Sequence, residues 1–115
     1  MVKRPYVPRR GDIIWVNMTP QAGREQAGRR PAVVLTPEKY NGRVGLAIVC
    51  PITSKVKGFP FEVVIPPMLK IEGAVLADHV RSIDWQARDA EYVSALPEET
   101  MNEVTNRILL LLKPA

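Results

Sequence analysis

The sequence is poor in the side chains from which disulfides, metal sites and histidine pairs are built. Its 115 residues include one cysteine, Cys50, and one histidine, His79. A single cysteine excludes an internal disulfide and suits a reducing compartment. A single histidine excludes catalysis by two histidines, and no group of cysteines, histidines or carboxylates has the spacing of a zinc site or an EF-hand. Any reaction that the chain catalyses is therefore expected to need no metal and no cofactor.

Long apolar runs are also missing. No uninterrupted run approaches the ~20 residues that a membrane-spanning helix requires. The basic residues near the start, Lys3 and Arg4, are not followed by the apolar stretch of a signal peptide. No glycine-rich phosphate loop of the P-loop type occurs. We expect a cytoplasmic protein without a membrane segment.

The composition that remains is typical of a globular domain with a basic surface. Hydrophobic residues make up 46% and charged residues 24%, a balance that favours a packed core over a disordered chain. The length suits one domain over residues 1–115. Lysine and arginine outnumber aspartate and glutamate by 16 to 12, and the resulting net charge of +4 favours an anionic partner.

Five β-rich runs bounded by turn residues predict short strands. They are Ile13–Met18, Pro31–Thr36, Val44–Ile52, Phe61–Ile65 and Gly73–Ala77. The third run is apolar almost throughout, so we expect it to be buried on both faces, with Cys50 as a core thiol. Tyr92 and Val93 suggest a further short edge strand, and residues 37–42 suggest a turn that includes some helix.

The segment that begins at Pro97 predicts a C-terminal helix. Proline is favoured in the first helical turn, and the acidic pair Glu98 and Glu99 suits the positive end of the helix dipole. An apolar stripe at helical spacing follows, formed by Met101, Val104, Ile108 and Leu111. Residues 108–112 are apolar all round, which predicts a subunit contact, with deep burial in the same chain as the alternative. Short strands and one terminal helix indicate a small, mainly β barrel with helical additions.

A charged loop at residues 21–31 precedes the second strand. Gly28 permits a positive φ or a close approach to a ligand. Pro31 forces Arg30 into an extended conformation at the root of the strand, and Glu25 lies five residues upstream of Arg30. A fixed guanidinium near a carboxylate suits the handling of phosphates. The alternative is a solvated hairpin loop that happens to be charged.

Further polar side chains stand where the third and fifth strands end. They are Thr53, Ser54, Lys55 and Lys57 after the third strand, and Asp78 and His79 after the fifth. In a small barrel such strand ends can converge on one mouth together with Arg30 and form a site. The alternatives are structural: a threonine that ends a strand, solvated lysines, an aspartate that caps a turn and a packed histidine.

Several blocks of sequence, in order and at similar spacing, resemble one family of proteins. They are Gly11–Val16, Glu25–Leu35, Pro51–Ser54, Lys57–Glu62 and Ala77–Ile83. Together they resemble the MazF/PemK family of toxin endoribonucleases, and the MazF branch more closely than the others. The resemblance extends over nearly the whole chain from residue 6 onward.

The resemblance implies an SH3-like barrel that forms a homodimer, on the plan shared by the gyrase poison CcdB. It implies metal-independent cleavage of single-stranded RNA, often messenger RNA, at a short sequence. The products would carry a 2′,3′-cyclic phosphate and a 5′-OH, translation and growth would be inhibited, and a cognate MazE-like antitoxin would neutralise the activity. The alternative is a protein of the same fold that binds without catalysis, such as a CcdB-like topoisomerase poison or an RNA-binding barrel.

Site residues follow from the same resemblance. Arg30 and Thr53 match the family's catalytic arginine and threonine, and Glu25 matches a loop carboxylate implicated in activity. The expected RNA-binding residues are Gln26, Gly28, Ser54, Lys55, Lys57, Phe59, Asp78 and His79. The base that takes the 2′-OH proton stays open between Glu25 and Asp78. Leu76 stands where the Kid branch has an arginine and His79 where it has a glutamine, so the arginine–aspartate pairing of Kid is not transferred.

Overall fold

The computed structural model describes residues 6–19, 23 and 28–113. The predictions for Glu25 and Gln26 therefore concern residues outside the described ranges. Within the described ranges the chain forms an antiparallel sheet and two helices. In chain order these are β1 (Asp12–Asn17), β2 (Arg29–Val34), α1 (Glu38–Val44), β3 (Ala47–Thr53), β4 (Glu62–Val64), β5 (Ala74–Leu76), β6 (Arg81–Ile83), β7 (Glu91–Ala95) and α2 (Glu98–Leu112).

Strand β3 is the centre of the sheet, whose order is β4-β5-β3-β2-β1-β7, with β6 also paired to β3. One edge of β3 pairs with β2. The other edge is divided, since Ala47–Val49 pairs with β6 and Ile52–Thr53 pairs with β5. Pro51 lies near the point where β3 changes from one neighbouring strand to the other. A proline has no N–H to donate, and the missing hydrogen bond disturbs the sheet least at such an irregular point. The sheet therefore curves around β3, as the prediction of a mainly β barrel with helical additions requires.

Alternate residues of the central strands enter two different cores, so these strands are buried on both faces. Val33 and Cys50 belong to a core that β4, β5 and α2 cover, whereas Val34 and Val49 belong to a core that includes Ile83 and Trp85. The prediction for β3 is thus confirmed. Cys50 is fully buried, and burial raises the pKa of its thiol to about 12, which suits a core residue and not a nucleophile.

Several element boundaries differ from the prediction, and one strand was not predicted. Strand β2 begins at Arg29, so Arg30 lies inside it, because the residue before a proline is already extended. Val44 ends α1 instead of opening β3, since Gly45 terminates that helix at φ +81 and donates its N–H to the Asn41 carbonyl. Arg81–Ile83 is a strand that the sequence did not predict, and its three residues are too few to show alternation.

Helix α2 projects beyond the core that it covers. Met101 and Val104 are buried, but Leu111 is 47% exposed and is not part of the core face, contrary to the predicted stripe. Residues 109–112 are all exposed, so the alternative of deep burial in the same chain is wrong for them. None of the helices in the described ranges combines the length and apolarity that crossing a membrane requires.

Candidate functional site

The ends of β2, β3 and β5 open onto one cavity of about 870 Å³. Its lining residues are Arg30, Thr53, Ser54, Lys55, Lys57, Phe59, Glu62, Leu76, Asp78 and His79. Eight of these ten are residues that the sequence placed in the site, and the convergence expected of strand ends is therefore observed. Their chemical roles stay predictions, since the cavity shows only that they lie together.

Arg30 is positioned by the middle of the sheet. It lies opposite Val16 in the register of β1 and β2 and is half-buried. Arg30 and Ser54 also line a second cavity of about 550 Å³, whose walls include Trp15, Pro31 and residues 69–72. The guanidinium thus stands on the border between two cavities, where a polymer lying across both would bring its backbone against it.

Thr53 is the last residue of β3 and is only 8% exposed. Its Oγ1 accepts a hydrogen bond of 3.1 Å from the Lys55 N–H, which fixes the direction of the hydroxyl. A hydroxyl that accepts one hydrogen bond still has its own proton to donate. Thr53 can therefore supply a fixed, neutral donor to a group bound in the cavity.

The segment after Thr53 is held by a side chain that sequence reasoning did not select. Glu62 is 8% exposed, and its Oε1 accepts hydrogen bonds from the N–H groups of Lys57 (2.9 Å) and Gly58 (2.8 Å). The Lys57 ammonium lies 5.8 Å from the centre of the Phe59 ring. A carboxylate that follows a glycine turn by four residues is the only sequence signal for this arrangement.

Asp78 and His79 lie in the turn that follows β5. The His79 N–H donates to the Leu76 carbonyl at 3.0 Å, and its Nε2 is 3.9 Å from Asp78 Oδ1. Both side chains are partly exposed, at 32% for His79 and 45% for Asp78. His79 is therefore a wall of the cavity and is not packed in a core.

Gly28 lies at the base of the charged loop and lines neither cavity. Its N–H donates to Thr19 Oγ1 at 2.9 Å, and its carbonyl accepts the Met18 N–H at 2.8 Å, with φ at +77. Arg88 adds hydrogen bonds to the carbonyls of Asn17 and Thr19. These contacts hold Gly28 against residues 18–19, and contact of Gly28 with RNA stays a prediction.

The charges of the cavity suit an anion. Arg30, Lys55 and Lys57 supply three cationic side chains against the two carboxylates of Asp78 and Glu62, and the Glu62 carboxylate accepts backbone N–H groups. In the part of the chain that the structure describes, no three histidine, cysteine, aspartate or glutamate side chains are grouped as metal ligands would be. A planar guanidinium beside a hydroxyl donor and two lysines is a set of groups that binds phosphate oxygens.

Comparison with known proteins gives consistent matches. The family described as "PemK-like, MazF-like toxin of type II toxin-antitoxin system" matches residues 9–112. The endoribonuclease toxin MazF of Escherichia coli K12 is 45% identical over 112 residues, which are 97% of this chain and 99% of that protein. The endoribonuclease PemK of Escherichia coli is 34% identical over 116 residues, with 97% and 87% covered.

Solved structures agree with these sequence matches. Form-I of MazF from Deinococcus radiodurans superposes with a TM-score of 0.91 at 52% identity, over 94% of this chain and 98% of that one. Form-II of the MazE–MazF complex from the same organism gives a TM-score of 0.85 at 45% identity, over 96% and 100%.

Proposed function

This chain belongs to the PemK-like, MazF-like family of type II toxins and is an endoribonuclease toxin neutralised by an antitoxin, and we propose that it cuts single-stranded RNA in the cavity lined by Arg30 and Thr53. One observation carries the assignment of the site. A permanently charged guanidinium and a fixed hydroxyl donor, from different strands, line the same cavity. Phosphoryl transfer needs donors aimed at the oxygens on which charge develops, and these two groups supply them.

The proposed reaction is a transesterification within the RNA. The ribose 2′-oxygen bonds to the neighbouring phosphorus, the bond from phosphorus to the 5′-oxygen breaks, and a 2′,3′-cyclic phosphate and a 5′-OH result. Arg30 holds two non-bridging oxygens of the phosphorane through its planar fork. Thr53 donates its hydroxyl proton as a hydrogen bond at the same centre. The 2′-OH proton leaves to a base, and the 5′-oxygen takes up one proton from the solvent, so one proton is lost and one is gained.

A carboxylate is the proposed base. Arginine, with a pKa above ~12, holds its proton too firmly to serve. Glu25 and Asp78 are the two candidates, and Asp78 is the one that lines the cavity among the described residues. Leu76 stands where the Kid branch has an arginine. The acid and the base of this chain therefore cannot be an arginine at position 76 and Asp78.

The path of the RNA is proposed to cross Arg30 from one cavity to the other. Ser54 lines both cavities with Arg30, and the scissile phosphate would lie at this border with one nucleoside on each side. Trp15, 37% exposed, offers the second cavity an aromatic surface on which a base can stack. The cleavage sequence would then depend on what each cavity accepts.

The proposed partners are messenger RNA, a second copy of the chain and a MazE-like antitoxin. The exposed leucines of residues 109–112 supply an apolar surface for the homodimer contact. A basic site open to RNA also suits an acidic antitoxin segment that becomes ordered on binding. A protein with this substrate acts where translation occurs, so we propose a cytoplasmic location.

Incubation of the pure protein with a long single-stranded RNA in the presence of EDTA tests the proposal. Cleavage at a short recurring sequence is expected, and the downstream fragments should accept phosphate from a polynucleotide kinase without prior dephosphorylation, as 5′-OH ends do. Intact RNA, with binding retained, would indicate a non-catalytic barrel of the same fold. Cleavage that stops on addition of EDTA would contradict the metal-independent reaction.

A further inference from the structure

Glu62 is a buried carboxylate in a cavity that otherwise suits an anion. It is 8% exposed and lines the same cavity as Arg30 and Lys57. A negative charge there opposes an anionic substrate unless it is compensated nearby. The compensation is local, since one oxygen of Glu62 accepts both the Lys57 and the Gly58 N–H groups. Hydrogen bonds from two successive amides to a carboxylate are of the strong, charge-assisted type.

The same segment is held at two further points. Thr53 Oγ1 accepts the Lys55 N–H at its start, and the Arg107 guanidinium of α2 donates to the Pro60 carbonyl at its end. Gly58 between them has φ +77, a conformation that favours glycine. Residues 55–60, which we call the platform loop, thus contain no helix or strand but have a backbone fixed by three side chains.

The platform loop carries an exposed aromatic ring, that of Phe59, which is not packed in either core. Phe59 is 60% exposed, and its ring has the Lys57 ammonium 5.8 Å from its centre. An exposed ring paired with a cation is the combination on which single-stranded nucleic acid binds, because a base stacks on the ring while the cation meets a phosphate. The ring is useful only where the backbone aims it into the cavity.

We propose that Glu62 is a positioning residue that fixes the platform loop, so that Phe59 stacks on one base of the RNA and Lys57 meets an adjacent phosphate. The proposal rests on the proposed function, since it names the part of that site that holds a nucleotide. Glu62 itself touches no reacting atom. Its removal leaves two amides without their acceptor and frees the ring, so binding of RNA should weaken more than the chemical step.

The test is single-turnover cleavage of a short single-stranded RNA that contains one cleavage site, measured over a range of protein concentrations. Glu62→Ala should raise the half-saturating concentration roughly tenfold or more, as expected for loss of one stacked base, with the maximal rate within about fivefold of the parent. Glu62→Gln keeps an oxygen acceptor and should recover most of that loss. Glu38→Ala, which removes an exposed carboxylate of α1 outside both cavities, is the matched control and should leave both parameters unchanged.

A double-mutant cycle separates positioning from a general loss of structure. Phe59→Ala should raise the half-saturating concentration by a similar factor, and Glu62→Ala combined with Phe59→Ala should be little worse than Glu62→Ala alone, because the two act as a unit. Arg107→Ala removes the third anchor of the platform loop and should also raise the half-saturating concentration, which keeps the proposal testable if Glu62→Ala does not fold.

Three results would overturn the proposal. In the first, Glu62→Ala folds and binds RNA as the parent does. In the second, Glu62→Ala lowers only the maximal rate. In the third, the increases in half-saturating concentration caused by Glu62→Ala and Phe59→Ala multiply in the double variant. In each the parent still cleaves RNA, so only the positioning role fails. A parent that binds RNA without cleaving it would instead remove the proposed function.

Discussion

A Cβ atom on Gly73 would overlap the carbonyl oxygen of Thr53 and lie 2.9 Å from its carbonyl carbon. Gly73 has φ +128, a conformation that is essentially restricted to glycine. It stands immediately before β5, whose first residue, Ala74, pairs with Thr53. The backbone of the proposed catalytic threonine can therefore lie where it does only because a glycine precedes the neighbouring strand β5.

Gly73→Ala should destabilise the fold and lower the activity together. Backbone strain alone is on the order of 1–3 kcal/mol, and relief of the overlap must move the Thr53 backbone. Denaturant melts and single-turnover cleavage of the same preparation check this. Gly42→Ala, in helix α1, is the control, since Gly42 has no positive φ and its Cβ would meet side-chain atoms only, the Val7 methyl groups at 3.3 and 3.9 Å. Parent stability in Gly73→Ala would contradict the account of this contact.

Lys57 should contribute to the salt dependence of RNA binding. Each phosphate neutralised on a single strand adds about 0.7 to the slope of log affinity against log salt concentration, so Lys57→Ala should flatten that slope by roughly this amount. The measurement is titration of a substrate with a 2′-deoxy sugar at the cleavage site over several salt concentrations. Lys39→Ala, on α1 outside both cavities, should keep the parent slope. An affinity that does not depend on salt would contradict an electrostatic RNA groove.

Asp78→Asn tests the base of the reaction. If Asp78 takes the 2′-OH proton, the maximal single-turnover rate should fall about 10²–10⁴-fold, the usual contribution of general base catalysis. Glu25→Gln, measured beside it, should lose less. The reverse order would assign the proton to Glu25, and near-parent rates in both variants would contradict a carboxylate base.

The exposed end of α2 should hold the dimer together. Leu110 and Leu112 are 60% and 72% exposed, and replacing both with lysine should yield a monomer where the parent is a dimer, because it puts two charges into an apolar contact. Light scattering at micromolar protein and physiological salt measures this. Tyr40→Lys, at another partly exposed site on α1, is the control. A monomeric parent, or a dimer that the two lysines do not affect, would show that residues 109–112 have another use.

The sequence predicted those parts of the site that depend on local rules. Arg30 and Thr53 stand at the ends of apolar runs, and strand ends of a small barrel can meet, so the pattern suggested that they line one cavity. Their catalytic roles came from the family resemblance and stay predictions. The roles of Gly73 and Glu62 were not predicted, because each depends on a contact with another part of the chain. Gly73 lies against the Thr53 carbonyl, and Glu62 accepts the N–H groups of residues 57 and 58. Leu111 was misjudged because helical spacing shows which residues share a face but not where the core beneath that face ends.

Arg30 is the residue on which the proposed reaction depends, and the single-turnover rate of Arg30→Ala measures that dependence. Arg30 belongs to neither hydrophobic core, so the variant should still fold, and a thermal melt beside the parent checks this. A donor preorganised at a developing phosphorane is worth about 10²–10³ in rate, and the permanent charge of arginine places it at the upper end. We expect Arg30→Ala to lose at least that much, and Arg30→Lys to recover only a small part because lysine lacks the planar fork. A folded Arg30→Ala that cleaves within about threefold of the parent, a loss far smaller than that expected of such a donor, would show that Arg30 is structural and that the site is misassigned.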